Sequence, residues 1–255
     1  MKVIMKILAI TQARYGSSRL PAKVLRTVGE RTLLEIQLER ILLSKRITKL
    51  IVATTNEDGA EYIINIAKKK NVDFFQGSVD DVLSRFYHAA KPETPDYIVR
   101  ITSDCPLVDP VIIDMVIDEC VKSDFDYVSN TMNPTYPDGI DVEVFKFSAL
   151  EQAFNEASLK SDREHVTPYI WRNSSYKGGG IFKSNNIENS IDYSSYRITV
   201  DTEEDFQVIK FLIENLGVNK SWIEYVNFLD KNKHIKDINK QYKRNEGYTK
   251  SLLND

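Results

Sequence analysis

Apolar positions in the first half of the chain fall into short runs separated by stretches with helical spacing. Residues 6–12 form a mostly apolar run of strand length that ends in a polar, glycine-containing loop, 13–23. From Thr32 onward, Leu33, Leu34, Ile36, Leu38, Ile41 and Leu42 recur on one helix face, and Thr32 with Glu35 offers a capping box. The same alternation predicts strands at 50–53, 73–75 and 97–101, and helices at 58–70, 79–90 and 110–122. Strands and helices in this order imply right-handed βαβ crossovers, so the expected fold class is α/β: a Rossmann-like three-layer sandwich with a mostly parallel sheet.

After Tyr127 the pattern loosens. A turn at Pro137-Asp138-Gly139 precedes a strand-like segment, 141–147, then helices near 148–158 and 163–171 and a Gly178-Gly179-Gly180 run. A last strand at 196–200 leads into a helix at 203–216, and the Lys/Asn-rich stretch from Lys231 onward is expected to be a surface helix or a frayed tail. Neither a linker nor an internal repeat divides the chain, and 255 residues with 42% hydrophobic content can bury a substantial core, so one domain is expected over 1–230 with an extension at 231–255.

Charge narrows the function classes. With 34 basic and 37 acidic residues, nothing draws the whole molecule to a nucleic acid or a membrane surface, so any phosphate binding must be local. Cys105 and Cys120 match neither a CxxC pair nor a zinc-ligand spacing, which suggests reduced thiols and a cytoplasmic location. The opening MKVIMKILAI is too short to span a bilayer, and the pattern restarts at Met5, so residues 1–4 are either native or an upstream addition.

The segment from Gln12 to Lys23 places Arg14, Arg19 and Lys23, with small residues between them, directly after the first strand. Ligands of open α/β sheets bind there, beyond the carboxyl ends of the strands. Backbone N–H groups around Gly16, Ser17 and Ser18 can form an anion nest, and the three cations can add charge-assisted bonds to a polyphosphate. Neither a Walker A nor a GxGxxG spelling is present, and a solvated basic loop remains the alternative. Asp104 follows one strand and Asp201 another. Two carboxylates from separate strand ends can hold a hard cation such as Mg²⁺, although an aspartate in that position more often caps a helix or closes a turn, Asp201 especially.

ARYGSSRLPAKVL closely resembles the nucleotide-binding motif of CMP-KDO synthetases and acylneuraminate cytidylyltransferases. In order along residues 6–215, DDVLSRF (80–86), RITSDCPLVDP (100–110), DGIDVEVF (138–145), REHVTPY (163–169) and RITVD (197–201) resemble the SpsF-type branch of that superfamily. The resemblance implies a GT-A-like fold and CTP-dependent activation of a sugar acid for a surface polysaccharide, with release of pyrophosphate. It implies a nucleotide-binding part at about 1–125, an acceptor part at about 126–195 and a return to the core at 196–230. It also implies Mg²⁺ on Asp104 and Asp201, and Arg14, Arg19 and Lys23 against the departing pyrophosphate. Position and family pattern together put Ala13, Thr54, Thr55, Ser78 and Arg85 at the nucleotide, with caps and a surface ion pair as the alternatives for the threonines and Arg85. Asp138, Asp141 and Glu143 are expected to meet acceptor hydroxyl or amino groups, and Arg163 with His165 an anion; the alternative for DVEVF is Val142 and Val144 in the core with its acids merely solvated.

TSDCPLVDP departs from the acidic segment of CMP-KDO synthetases, which leaves KDO doubtful as the acceptor and leaves open another ulosonic or nonulosonic acid or a smaller phosphorylated or carboxylated compound. A homodimer is expected from the habit of the resembling family. Two rivals remain: a glycosyltransferase on a similar fold, for which Asp124-Phe125-Asp126 lies on the wrong side of its strand, and a catalytically idle homologue, against which the complete set of cations and carboxylates argues.

Overall fold

The computed structural model describes residues 5–17 and 19–255. The opening apolar run is β1 (Ile7–Gln12), followed by a loop with one 3-10 turn at Lys23–Leu25 and a small hairpin of β2 (Thr27–Val28) and β3 (Arg31–Thr32). Helix α1 (Leu33–Ile41) begins at the expected capping box: Thr32 Oγ1 accepts from the Glu35 N–H at 3.1 Å, and Glu35 Oε2 accepts from the Thr32 N–H at 2.8 Å. Then come β4 (Lys49–Thr55), α2 (Ala60–Lys69), β5 (Asp73–Gly77), α3 (Val82–Ala90), β6 (Tyr97–Thr102) and α4 (Pro110–Lys122). The second half contributes β7 (Tyr127–Ser129), β8 (Glu143–Lys146), α5 (Phe147–Glu156), α6 (Lys160–His165), α7 (Pro168–Arg172) and β9 (Ser184–Asn186). It closes with α8 (Glu203–Leu216), α9 (Trp222–Lys231), α10 (Lys233–Lys236) and α11 (Glu246–Ser251).

Seven strands form one sheet in the order β5-β4-β1-β6-β8-β7-β9. Strand β1 pairs in parallel with β4 and β6, and β4 with β5, whereas β8 runs antiparallel to both β6 and β7. The central strands are buried on both faces, which explains their unbroken apolar runs. Ile7, Ala9, Leu50, Val52 and Val99 point into a core shared with α1, α2, α4, α8 and α9, while Leu8, Ile10, Ile51, Ala53 and Ile98 point into a second core against α3, α5 and α7. The result is the α/β three-layer sandwich with a mostly parallel sheet that the alternation predicts.

Three segments differ from the sequence expectation. The stretch 196–200 joins no strand ladder. It is an extended segment pinned by single bonds, with Ile198 N–H donating to the Asp138 carbonyl at 2.7 Å and Val200 N–H to the Asp104 carbonyl at 2.8 Å. The helix expected at 163–171 is two short helices, because Val166 takes φ 71° between them and Pro168 starts α7. The stretch beyond Lys231 folds back onto the body: residues 245–248 line the main cleft together with Lys250 and Ser251. No helix among the described residues is long and apolar enough to cross a membrane.

Helix α1 is tied to the opposite chain half by one guanidinium. Arg40, 2% exposed, donates from Nε to the Val108 carbonyl at 2.7 Å and from Nη2 to the Lys220 carbonyl at 3.0 Å, and it also bonds the Val218 carbonyl. Arg40→Ala strands these carbonyls and opens a cavity, so it should cost about 3–5 kcal/mol in urea unfolding. A loss below about 1 kcal/mol would show that the loop between α8 and α9 finds other partners.

Candidate active site

A cleft of about 750 Å³ opens beyond the carboxyl ends of β1 and β6. The loop after β1 supplies Ala13, Arg14, Ser17, Arg19 and Lys23 to its lining. Ala22 turns this loop with φ 52°, a left-handed conformation costly for a residue with a Cβ, and the turn delivers Lys23 to the floor of the cleft. There the Lys23 ammonium donates to Asp201 Oδ1 at 2.8 Å and to the Val200 carbonyl at 2.9 Å, and it lies 3.8 Å from Asp104 Oδ2. Burial alone would lower the Lys23 pKa, but Asp104 and Asp201 outweigh it and raise the value. Arg19 reaches Asp201 Oδ2 at 3.0 Å. Burial pushes the Asp201 carboxyl up, and Lys23, Arg19 and Arg197 together hold it below the ordinary range.

The helix-cap roles open to the two aspartates fall to other residues. Helix α8 is capped by Thr202, with Asp205 completing the box, and helix α4 is capped by Asp109, whose Oδ1 accepts from the Val111 N–H at 2.9 Å. Asp104 sits in the turn after β6, which Gln37 fixes from α1: its Nε2 donates to the Thr102 carbonyl at 2.7 Å and the Cys105 carbonyl at 3.0 Å, while its Oε1 accepts from Thr11 at 2.9 Å. The Asp104 main-chain oxygen in turn accepts from Val200 N–H and from Thr199 Oγ1 at 2.9 Å. Both carboxylates are thereby brought to one ammonium by backbone bonds between chain segments far apart in sequence.

Arg197 anchors the Asp201 segment. It bonds Asp138 Oδ2 at 2.5 Å and both Asp205 oxygens at 2.8 Å, and lies 3.3 Å from Asp201 Oδ2. Gly139, at φ 107°, lets the Pro137-Asp138-Gly139 turn press against this segment, since a Cβ there would stand 2.5 Å from the Ile198 carbonyl. Asp141 pairs with Arg244, and burial with the neighbouring Asp141 charge raises Asp138 to about 7. Glu143 is no solvated residue. It pairs with Arg100 across the β6–β8 register and accepts from Tyr127 Oη and Thr167 Oγ1, each at 2.6 Å.

Among the remaining expected nucleotide contacts, Arg85 lines the cleft from α3. It is 3% exposed, its Nε and Nη1 find no partner among the described residues, and burial with the Arg14 charge lowers its pKa to about 10. Thr54 and Thr55 end β4 fully buried, with hydroxyls that also find no partner among the described residues. Ser78 accepts from the Asp81 N–H at 3.0 Å, and Gly16 N–H donates to Glu57 Oε1 at 2.8 Å; none of these four residues lines the cleft. Ser18 lies outside the described residues.

The structure separates Arg163 from His165. Arg163 turns to Asp81 at 2.7 Å and to the Phe154 and Ala157 carbonyls, each at 3.2 Å, away from the cleft, because the end of α5 and the start of α3 offer it acceptors on that side. His165 faces the cleft with Nε2 2.9 Å from Ser251 Oγ. Arg100, Arg197, Lys177, Tyr248 and Lys250 were not singled out from the sequence. An arginine inside an apolar strand, as at Arg100, demands a buried partner and was a usable signal, whereas the polar stretch around Tyr248 gave none.

A model of the cytidylyltransferase family matches residues 8–243. The chain belongs to the cytidylyltransferase family. It is 42% identical to an uncharacterized protein of Methanocaldococcus jannaschii, over 92% of this chain and 95% of that one. It is 33% identical to the spore coat polysaccharide biosynthesis protein SpsF of Bacillus subtilis, over 83% and 88% of the two chains. The solved structure of a cytidylyltransferase from Leptospira borgpetersenii superposes with a TM-score of 0.85 at 36% identity, covering 91% of this chain and 97% of that one. The family resemblance carried by the sequence motifs therefore holds over most of this cytidylyltransferase.

Burial and the Arg100 charge lower the His165 pKa, with Glu164 and Glu143 opposing. A histidine with a folded pKa below its unfolded value stays neutral in the fold while the unfolded chain binds the proton, so its contribution to stability is lost as pH falls below about 6.5. His165→Gln removes that titration. The variant's Tm should therefore rise relative to the parent between pH 7 and pH 5, and a constant gap across that range would refute the neutral imidazole.

Proposed function

We propose that this cytidylyltransferase joins CMP from CTP to a sugar acid of the ulosonic or nonulosonic type and releases pyrophosphate. The observation that carries the reading is the Lys23 ammonium at 2.8 Å from Asp201 and 3.8 Å from Asp104, at the floor of a cleft that Arg14, Arg19 and Arg85 also line. Residues 1–125 would hold the nucleotide and residues 126–195 the acceptor, with 196–230 returning to the core.

In this reading an acceptor hydroxyl oxygen bonds to the α-phosphorus, the bond from that phosphorus to the bridging oxygen breaks, and the electron pair leaves with pyrophosphate. The hydroxyl proton passes to solvent. Arg14, Arg19 and Lys23 neutralise the phosphates and hold the leaving group, which is the larger part of what such a transfer needs. Arg85 waits in the same cleft with unbonded N–H groups that a phosphate or a base carbonyl would satisfy.

Among the described residues, no group of three or more His, Cys, Asp or Glu side chains is arranged to hold a metal ion. The Asp104 and Asp201 oxygens nonetheless converge on one cation, the Lys23 ammonium, and two hard carboxylates suit Mg²⁺, which keeps phosphate oxygens and water as its other ligands. Asp104 and Asp201 would hold it, and when bound it would supply neutralisation of the phosphates and a lower pKa for the acceptor hydroxyl.

Pyrophosphate release measured with each of four nucleotides and a set of sugar acids, with and without Mg²⁺, tests the proposal. CTP with Mg²⁺ should be preferred, and release of a nucleotide from a nucleotide sugar instead would replace this reading with glycosyl transfer. Asp104→Asn should lower kcat at least about 100-fold while leaving Tm nearly unchanged; turnover near the parental rate would remove Asp104 from the reaction. Arg85→Met deletes an unpaired buried charge, so the unliganded protein should lose no stability while CTP affinity falls about 10- to 100-fold by calorimetry. Unchanged CTP affinity would make Arg85 structural only.

A further inference from the structure

The family match ends at residue 243, yet the chain beyond it forms one wall of the cleft. Asn245, Glu246, Gly247, Tyr248, Lys250 and Ser251 all face the cavity. The segment is fastened along its length. Arg244 donates to the Tyr136 carbonyl at 3.2 Å and pairs with Asp141, and Asp255 accepts from Ser161 N–H at 2.8 Å and Ser161 Oγ at 2.6 Å. Between these ends Ser251 Oγ donates to Glu164 Oε2 at 2.7 Å, and the Tyr248 ring stands edge-on to His165 at 5.3 Å and to Trp171 at 5.9 Å.

Charge in this half of the cleft is unevenly satisfied. Asp138 and Asp141 are held by Arg197 and Arg244, and Glu143 by Arg100, so the acids expected to meet the acceptor already have protein cations as partners. Two lysines remain. Among the described residues neither Lys177 nor Lys250 has a carboxylate within 4.0 Å; Lys177 donates to the Met132 carbonyl at 3.1 Å. Both are exposed and both line the cavity. Asp80 and Glu164 also line the cleft without a lysine or arginine partner among the described residues. Asp138, Asp141 and Glu143, however, are already held by protein cations, and the Lys177 and Lys250 ammonium groups are open to an anionic occupant.

We propose that residues 244–251 form the acceptor-recognition wall of this enzyme and that Lys250, with Lys177 on the same cleft lining, takes the carboxylate of the sugar acid. The proposal rests on the cytidylyl-transfer reading above and adds what selects the acceptor. The wall belongs to a segment outside the family match and meets the phosphate loop at Glu246, 3.7 Å from Arg19. Among the described residues Lys250 has no carboxylate within 4.0 Å and is exposed, which makes its replacement a test of charge and not of folding.

The experiment compares the parent chain, Lys250→Glu and a chain ended after Lys243. Pyrophosphate release is followed with CTP and a panel of free sugar acids, including 3-deoxy-manno-octulosonate and N-acetylneuraminate, each beside its methyl ester. CTP affinity is measured separately by calorimetry without acceptor. Lys250→Glu should raise the acceptor KM about 10-fold or more, change kcat and CTP affinity by less than about 3-fold, and reduce the preference for free acid over ester. The shortened chain should lose acceptor turnover while still binding CTP; if it does not fold, Lys250→Glu alone decides. Parental KM and parental acid preference in Lys250→Glu would overturn the proposal. A parent chain that binds CTP but turns over no sugar acid would overturn the transfer reading and this one with it, a result distinguishable because the parent itself is then silent.

Discussion

One ammonium ion draws three distant parts of the chain to a point. Lys23 arrives from the loop after β1, Asp104 from the turn after β6 and Asp201 from the segment before α8, and the Lys23 nitrogen is within 4 Å of both carboxylates. Burying a lysine is costly unless its charge is compensated, and here two carboxylates and a carbonyl compensate it. The backbone must therefore bring all three parts together or leave a stranded charge. That requirement explains why an irregular stretch, 196–200, lies so closely along the ends of the sheet strands without joining the sheet.

Around this point the acids and bases are arranged in pairs and triads rather than left to solvent. Arg197 holds Asp138 and Asp205, Arg244 holds Asp141, and Arg100 holds Glu143. Such pairs are weak sources of net stability, since desolvation cancels most of the attraction, but each fixes a side chain in one place. Their geometric effect is that this part of the cleft has a defined shape, with Trp171 and His165 packed edge to face against Tyr248.

Much of the architecture was legible because the central strands are covered on both faces and the helices on one, and these two conditions write different periods into the sequence. The ends of α4 and α8 coincide with the predicted ones because Asp109-Pro110 and Thr202 mark their starts chemically. The family was legible from ordered motifs, and the loop with Arg14, Arg19 and Lys23 from its place after a strand. What the sequence withheld is of another kind. The partner of Arg163 is an acid 82 positions away, and the return of residues 244–251 over the cleft depends on a few contacts, among them Arg244 to Asp141, whose local sequence is merely polar. Long-range pairing leaves no periodic trace.

Two guanidinium nitrogens of Arg85, Nε and Nη1, have no acceptor among the described residues, and this ties occupancy to foldedness. A buried N–H without an acceptor penalises the native state every moment the cleft lacks a suitable guest, and the penalty vanishes when one arrives. By mass action, a guest that binds only the native chain shifts the balance from unfolded to native in proportion to its concentration over its dissociation constant. Resistance to heat and to proteases is then partly a property of what fills the cleft, and not of the polypeptide alone.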